Sequence, residues 1–375
     1  MSRSHYGARS DPTVFAEISN LTKVARSLRR LALGLALLVG FVTPAAAIPL
    51  LLVDAATLQV LYEEEAGQPW HPASLTKMMT AYLAFAAIKD GRVSLDTPVK
   101  VSQHAWNQAP AKSGLDKGAA VSLNDALYIM LVKSANDMAV AIAETISGDE
   151  KTFVQQMNLM AQEMDLSATH FENANGLNNN KQVSSARDLA MLALYLQRDY
   201  PQYEEMFRAQ EVKIGKSTLK TSNEMLETLA GVNGMKTGYI CASGLNIVAT
   251  MQRNGRSLIA VVLGGSSARE RNELAAQLFL RGLSGALSPT GRTVVQLSNL
   301  DAAPKDMKPY ICGAKAKDYV KDREAEFPMG LKGQPSYLTD EIAGPIHVAT
   351  DLGKIVTGVP LPRQRPYPPQ QFASN

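Results

Sequence analysis

The segment LTKMMTAYLAFAAIKD at residues 75–90 combines strong helix formers with apolar side chains on nearly every side of the helix that it predicts. Gly91 follows this segment and marks its end. A helix that is apolar all round is stable only when other elements surround it. The chain is therefore expected to fold around this segment as a buried central helix, and Lys77 lies inside it.

Strand-like runs occur at both ends of the main part of the sequence. Residues 49–53 and 58–62 predict one hairpin. Residues 245–251 and 258–263 predict a second hairpin, because Asn254-Gly255 between them is a strong turn signal. Since these strands come from the two ends of one region, they can pair with each other in an antiparallel sheet.

A helical block separates the two groups of strands, and one more helix follows the second group. Helices are predicted at residues 123–133, 137–146, 153–164, 186–197 and 270–283. Ser122 is the expected N-cap of the first of these, and Ser184 or Ser185 of the fourth. The layout predicts an α+β fold in which helices flank an antiparallel sheet.

Length and composition allow a large core and exclude several classes of protein. The chain has 375 residues, of which 46% are hydrophobic, enough for one large or two ordinary domains. Its formal net charge is +3 and no long basic block occurs, so we expect no nucleic-acid partner. The sequence lacks a metal-type Cys/His cluster, a phosphate-binding loop and a dinucleotide-binding glycine pattern. We therefore expect no cofactor and no metal.

Residues 1–47 are predicted to be a secretory signal peptide. Arginines between residues 26 and 30 precede an apolar run at residues 31–42, and the following TPAAA supplies small residues for cleavage after Ala47. A membrane-spanning helix is the first alternative, but about a dozen apolar residues are too few to cross a bilayer about 30 Å thick. An uncleaved anchor is the second. Export predicts a periplasmic location, with the surface of the inner membrane as an alternative.

Residues 286–375 are predicted to form a proline-rich extension of unknown function behind a main domain at residues 48–285. The extension holds 11 of the 19 prolines and two short strand-like pieces, at residues 293–297 and 346–349. No amphipathic helix is evident near the C-terminus, so membrane attachment is not expected.

Two cysteines, Cys241 and Cys312, are present in the whole chain. In an exported protein such a pair is expected to form a disulfide bond, and the alternative is two unrelated buried thiols. A bond would hold the extension beside residues 236–238.

Three short motifs stand in one order along the chain: Ser-x-x-Lys at residues 74–77, Ser-x-Asn at residues 134–136 and Lys-Thr-Gly at residues 236–238. Each motif alone is weak, and the chain contains a second Ser-x-x-Lys at residues 217–220 and a Lys-Ser-Gly at residues 112–114. We interpret the second Ser-x-x-Lys as a helix cap with a surface lysine, and the Lys-Ser-Gly as a loop near the site. The order, the wide separations and the contexts of the first three indicate one active site.

The first motif predicts a nucleophile with its base. Ser74 and Lys77 lie one helical turn apart on one face. A serine hydroxyl is a poor nucleophile until a base removes its proton, and burial beside a second cation lowers the pKa of a lysine. Lys236 can provide that second charge, so we expect Lys77 to be neutral and to accept the proton of Ser74. His71, three residues before Ser74, is assigned a capping or surface role.

The other two motifs predict groups that bind the substrate and move protons. Ser134 can relay a proton to a leaving amine, and the amide of Asn136 can orient the lysine and a substrate carbonyl. Lys236 and Thr237 can bind a terminal carboxylate. Gly238 allows a substrate backbone to approach the strand.

Long stretches around these motifs resemble the low-molecular-mass penicillin-binding proteins, the serine-type D-alanyl-D-alanine carboxypeptidases of peptidase family S11. They are PASLTKMMTAYLAF, KSANDMAVAIAETISG, GVNGMKTGYICASGLNIVATMQRNGRSLIAVVLGG, FVQQMNLMAQEMDLSATHFENANGL and SSARDLAMLALYLQ. The resemblance covers residues 48–283. It implies a DD-peptidase/β-lactamase-like fold with a helical subdomain, and a catalytic domain at residues 48–285. It also implies removal of the terminal D-alanine from peptidoglycan stem pentapeptides.

The resemblance implies a role for each matching residue. Ser74 would be the acylated nucleophile and Lys77 its general base, and Ser134 with Asn136 would complete the proton and substrate network. The residues Lys236, Thr237, Gly238 and Tyr239 would bind the substrate, with the backbone N–H groups of Ser74 and Tyr239 as the oxyanion hole. β-Lactam antibiotics would acylate the same serine.

Three other functions remain open on the sequence alone. A DD-endopeptidase that cuts peptidoglycan cross-links would use the same residues. A β-lactamase would need a deacylating glutamate, and the surroundings of Glu172 do not match one, so this residue is expected in a loop. A non-catalytic wall-binding protein would not need the complete set of reactive groups.

Overall fold

The computed structural model describes residues 48–354. The predicted signal peptide, residues 1–47, and the final proline-rich stretch from residue 355 lie outside the described residues. The described strands are β1 Leu50–Asp54, β2 Val60–Glu64, β3 Pro98–Lys100, β4 Ala120–Ser122, β5 Glu211–Ile214, β6 Ser217–Lys220, β7 Val232–Ile240, β8 Gly244–Arg253, β9 Arg256–Gly265 and β10 Ile346–Ala349. The helices are α1 Lys77–Lys89, α2 Gln103–Trp106, α3 Leu123–Val132, α4 Asn136–Ser147, α5 Glu150–Glu163, α6 Ala186–Asp199, α7 Glu204–Arg208, α8 Met225–Thr228, α9 Ala268–Leu283, α10 Lys308–Ile311 and α11 Ala316–Glu326.

The main sheet has five strands in the order β2-β1-β9-β8-β7, and all neighbouring strands in it are antiparallel. The predicted hairpins are confirmed, and the first and last groups of strands meet where β1 pairs with β9. Asn254 and Gly255 both have positive φ, as a tight two-residue hairpin turn requires. Strand β7 is the last strand on its side of the sheet, so it leaves one edge free for other groups.

Helix α1 is the predicted central helix. Met78, Met79, Ala81, Ala84 and Phe85 have no exposed surface, because α3, α4, α5 and α6 pack around α1. A 3-10 turn, Ala73–Thr76, leads into it.

Local capping rules explain where several helices begin. The Ser122 hydroxyl accepts a hydrogen bond from the backbone N–H of Asp125 at the start of α3, as predicted. Of the two candidates for α6, Ser185 is the cap, and it accepts from Asp188. Helix α5 begins earlier than predicted because Asp149 caps it.

Two secondary-structure predictions from the sequence are wrong. Residues 217–220 form strand β6 rather than the start of a helix, because they pair antiparallel with β5. Residues 293–297 do not form a strand, since a 3-10 turn, Val294–Gln296, occupies them after a single bridge between Gln59 and Thr293.

The described part of the extension packs on the main domain. The predicted strand at residues 346–349 is β10, and it pairs parallel with β5. The His347 ring stacks on Tyr128, and its Nε2 lies 2.7 Å from Asp125 Oδ1. The boundary at residue 285 stays a prediction. None of the helices within residues 48–354 has the length and apolar character needed to span a membrane.

Candidate active site

The turn before α1 places a serine hydroxyl against a buried lysine. Ser74 lies in the 3-10 turn, Lys77 is the first residue of α1, and Lys77 Nζ is 2.9 Å from Ser74 Oγ. The Lys77 side chain is fully buried, whereas Ser74 is partly exposed. The amine therefore meets the hydroxyl inside the protein, and the hydroxyl remains within reach of a substrate.

Two further neighbours of Lys77 can only accept hydrogen bonds. Its Nζ lies 2.7 Å from Asn136 Oδ1 and 2.5 Å from the backbone oxygen of Asn175. The Asn136 amide is fixed in this orientation, because its Nδ2 donates to the backbone oxygen of Ala109. A neutral amine has two N–H groups and one lone pair. If both N–H groups go to these two acceptors, the lone pair faces the proton of Ser74.

The surroundings of Lys77 favour this neutral form. Burial lowers its pKa well below the ordinary value, and the positive charge of Lys236 lowers it further. The carboxylate of Asp137 acts in the opposite direction, and the net shift is downward. These effects together favour the neutral amine of Lys77, which can then accept a proton.

The second motif begins in the connection between α3 and α4 and ends at Asn136, the first residue of α4. Ser134 has a positive φ of 61°, uncommon for a residue with a side chain, and its Oγ accepts a hydrogen bond of 2.9 Å from Lys236 Nζ. The two later motifs therefore meet through their side chains. Asp137, just beyond, accepts from the backbone N–H and hydroxyl of the buried Ser113. This contact anchors the loop at residues 112–114 beside the second motif.

The third motif lies on β7, the free edge of the sheet. Lys236 is buried and also donates to the backbone oxygen of Thr237, whose hydroxyl lies 2.7 Å from that of Ser222. Burial lowers the pKa of Lys236 to about 7, and the charge of Arg271 contributes to the same shift. Tyr239, one position after the motif, is 52% exposed.

Gly238 allows β7 to approach the serine turn. A Cβ atom at this position would lie 2.8 Å from the backbone oxygen of Pro72 and 3.0 Å from the backbone nitrogen of Ser74. Both atoms belong to the backbone, so neither can move aside without shifting the turn. A side chain here would push the third motif away from Ser74.

Replacement of Gly238 by alanine is therefore expected to slow acylation of Ser74 by a β-lactam about 10- to 100-fold, since overpacking costs about 1–3 kcal/mol. The measurement is the second-order acylation rate constant, together with the melting temperature. An unchanged rate constant in a folded variant would show that the close approach is not needed.

The structure adds four residues that sequence reasoning missed. They are Asn175, Ser222, Asn246 and Arg271. Asn175 contributes a backbone oxygen, which any residue type carries, so the sequence holds no signal for it. Asn246 is buried, donates to the backbone oxygens of His71 and Pro72, and accepts from Gly264, so it holds the chain just before Ser74. Asn246 could have been noticed in the sequence, because it is a polar residue inside an otherwise apolar strand.

The side chains of His71 and Glu172 are not among the hydrogen-bond partners of Lys77 Nζ in the described part of the chain. The expected capping or surface role of His71 is wrong, because the residue is buried and its Nδ1 lies 2.9 Å from the backbone oxygen of Gln182. Glu172 lies in a loop, as expected, and its carboxylate is 2.9 Å from His170 Nε2. Cys241 and Cys312 are joined by a disulfide bond.

The antiparallel sheet, the buried central helix and the serine–lysine pair at its start together define the DD-peptidase and β-lactamase class of fold. The chain belongs to the D-alanyl-D-alanine carboxypeptidase family, peptidase family S11, whose model matches residues 43–267. Both the predicted family and the predicted fold class are confirmed.

Individual relatives agree with this assignment. The chain is 36% identical over 238 residues to D-alanyl-D-alanine carboxypeptidase DacD of Escherichia coli, covering 62% of this chain and 61% of that protein. The chain thus spans about three fifths of the length of this curated relative. Penicillin-binding protein 6B of Escherichia coli is similar in structure, with a TM-score of 0.59, 36% identity and coverage of 63% and 76%. Penicillin-binding protein D2 of Listeria monocytogenes, in an ampicillin-bound form, has a TM-score of 0.55, 28% identity and coverage of 63% and 96%.

Proposed function

We propose that this protein is a serine D-alanyl-D-alanine carboxypeptidase that removes the terminal D-alanine from peptidoglycan stem pentapeptides. The observation that carries the proposal is the contact of 2.9 Å between the Ser74 hydroxyl and the fully buried Lys77 amine. Family membership supports the choice of substrate, because the matching family is described by this activity.

Acylation begins with attack of Ser74 Oγ on the carbonyl carbon of the penultimate D-alanine. As the new C–O bond forms, the hydroxyl proton passes to the lone pair of Lys77. Negative charge develops on the substrate oxygen, and backbone N–H groups of Ser74 and Tyr239 are proposed to stabilise it. The close approach at Gly238 supports this pairing, since it holds β7 against the serine turn.

The C–N bond then breaks, and the leaving D-alanine needs a proton on its amine. Lys77 carries the proton taken from Ser74, and Ser134 is proposed to relay a proton to the amine, with Asn136 fixing the lysine. Two contacts support this relay: Ser134 Oγ accepts a hydrogen bond from Lys236 Nζ, and Asn136, two residues further on, contacts Lys77 Nζ. The product is an ester on Ser74, which water hydrolyses while Lys77, neutral again, accepts a proton.

Lys236 and Thr237 are proposed to bind the terminal carboxylate. Lys236 is a buried cation near Arg271, so an incoming anion relieves unfavourable positive charge there. The same binding explains why β-lactams, which carry a carboxylate and a reactive carbonyl, would acylate Ser74. The ampicillin-bound form of the Listeria relative supports this extension.

The activity should depend on pH through Lys236. Its pKa is about 7, so it is charged below that pH and loses its attraction for a carboxylate above it. We expect kcat/KM for a peptide ending in D-alanyl-D-alanine to fall above pH 7, by about tenfold per pH unit at most. The same peptide with a C-terminal amide should lack this alkaline fall. Identical profiles for the two peptides would contradict the assigned role.

The proposed activity is tested by incubating the purified protein with a stem pentapeptide and with cross-linked muropeptide dimers. Release of free D-alanine with formation of a tetrapeptide supports the carboxypeptidase. Loss of dimers without release of D-alanine would instead identify an endopeptidase. Rapid turnover of penicillin would favour a β-lactamase, and an inert folded protein would favour a wall-binding role.

We also propose that residues 1–47 direct export and are removed, and that residues 48–285 form the catalytic domain with residues 286–375 as an extension. The mature protein would then work in the periplasm, or on the outer surface of the inner membrane. The Cys241–Cys312 bond supports export, because disulfides persist in oxidising compartments.

A further inference from the structure

The disulfide bond brings the C-terminal extension to the end of the substrate strand. Cys241 follows β7 directly, and Cys312 follows α10 of the extension. A second contact strengthens the junction, since the backbone N–H of Met307 donates 3.0 Å to the backbone oxygen of Ala242, and Met307 is buried. Residues 307–312 are therefore fixed beside the site at two points.

Tyr239 stands against this junction. Its hydroxyl lies 3.3 Å from Cys312 Sγ and 4.0 Å from Cys241 Sγ, while the side chain remains 52% exposed. The bonded sulfur atoms have no proton, so the hydroxyl is the donor in these contacts. Tyr239 thus presents one side to the disulfide and the other to solvent at the edge of β7.

The direction of a bound substrate follows from the proposed function. If Lys236 and Thr237 hold the terminal carboxylate and Ser74 attacks opposite Gly238 and Tyr239, the rest of the peptide must extend past Tyr239 towards Cys241. The part of the stem peptide on the acyl side of the scissile bond would then meet Tyr239 and the disulfide. The departing D-alanine would lie at the opposite end.

We propose that Tyr239, held by the Cys241–Cys312 bond, forms a wall that recognises the stem-peptide residues on the acyl side of the scissile bond. This inference rests on the proposed function and makes Cys312 a positioning residue that acts through Tyr239. An aromatic ring held in place offers a fixed apolar surface to a peptide, whereas a free ring loses conformational freedom on binding. Short substrates that end at the scissile alanine do not reach this wall.

The test compares a pentapeptide ending in D-alanyl-D-alanine with N-acetyl-D-alanyl-D-alanine, which lacks the acyl-side residues. In Cys312→Ser we expect the ratio of kcat/KM for the long over the short peptide to fall about tenfold, mainly through KM. Tyr239→Ala should lower the ratio equally, and Tyr239→Phe should lower it only in part, because it keeps the ring but loses the hydroxyl contacts with the two sulfur atoms. The double variant Tyr239→Ala/Cys312→Ser should fall no further than either Tyr239→Ala or Cys312→Ser alone. Because Cys312 is exposed, dithiothreitol added to the native wild type should reproduce the Cys312→Ser result.

Each contrary result has a separate meaning. Equal losses for the two peptides, or additive losses in the double variant, would overturn the wall and leave the proposed function intact. A wild type that cleaves neither peptide would overturn the proposed function itself. Melting temperatures of all variants show whether the comparison is made on folded protein, and the dithiothreitol experiment avoids substitution altogether.

Discussion

Replacement of Ser74 by alanine is expected to lower D-alanine release by at least about 10⁴-fold and to abolish covalent labelling by penicillin. The reason is that Ser74 Oγ is the atom that would form the acyl-enzyme. Within residues 48–354, the other two groups that contact Lys77 Nζ are an amide oxygen of Asn136 and the backbone oxygen of Asn175, and neither is a hydroxyl. The measurement is the rate of D-alanine release under saturating pentapeptide. The chain provides a matched control in Ser217, the first residue of the second Ser-x-x-Lys.

Ser217 lies exposed on β6, away from a buried lysine, so Ser217→Ala should leave both activities unchanged. Loss of activity in Ser217→Ala with retention in Ser74→Ala would reverse the assignment of the nucleophile. Because Ser74 is partly exposed and its truncation removes one hydroxyl, the variant is expected to fold normally.

Replacement of Lys77 is expected to slow acylation about 10³-fold, as loss of a general base typically does. Two substitutions separate the role of the Lys77 amine as a proton acceptor from the effect of a positive charge at this position. Lys77→Met removes the proton acceptor and leaves a neutral side chain, whereas Lys77→Arg places a permanent charge there that cannot accept a proton. If Lys77 acts as the general base, both variants should lose the same factor in rate. The measurement is the acylation rate constant with a β-lactam.

A Lys77→Arg variant that acylates at nearly the wild-type rate would show that a positive charge at residue 77 is sufficient. Proton transfer to residue 77 would then not be required. Lys220→Met is the matched control, since this lysine is exposed on β6 and is expected to be dispensable. Melting temperatures are needed for both Lys77 variants, because the site is fully buried.

Features governed by local chemistry were predictable from the sequence. The hydroxyl of Ser122 caps α3 because the cap and the backbone N–H that donates to it lie within one turn. Asn254-Gly255 forms a hairpin turn because few residue types adopt the two positive φ values that it needs. The burial of α1 was equally predictable, because a helix that carries apolar side chains on all sides must be surrounded by other elements. These signals fix the sheet, the central helix and the positions of Ser74 and Lys77.

Features governed by tertiary pairing were not predictable. Residues 217–220 form a strand only because β5 lies beside them, and the same letters are compatible with a helix cap. The contact between Lys77 and the backbone oxygen of Asn175 spans 98 positions and uses an atom common to all residues. The field of Arg271 on Lys236 likewise depends on how α9 packs against the sheet, which local patterns do not encode.

The mass of the intact protein after exposure to benzylpenicillin tests the central claim most directly, when peptide mapping locates the adduct. The serine–lysine pair predicts a gain of one whole penicillin molecule, carried by the peptide that contains Ser74 and absent from Ser74→Ala. A folded protein that gains no mass, or an adduct on any other residue, would contradict the proposed active site.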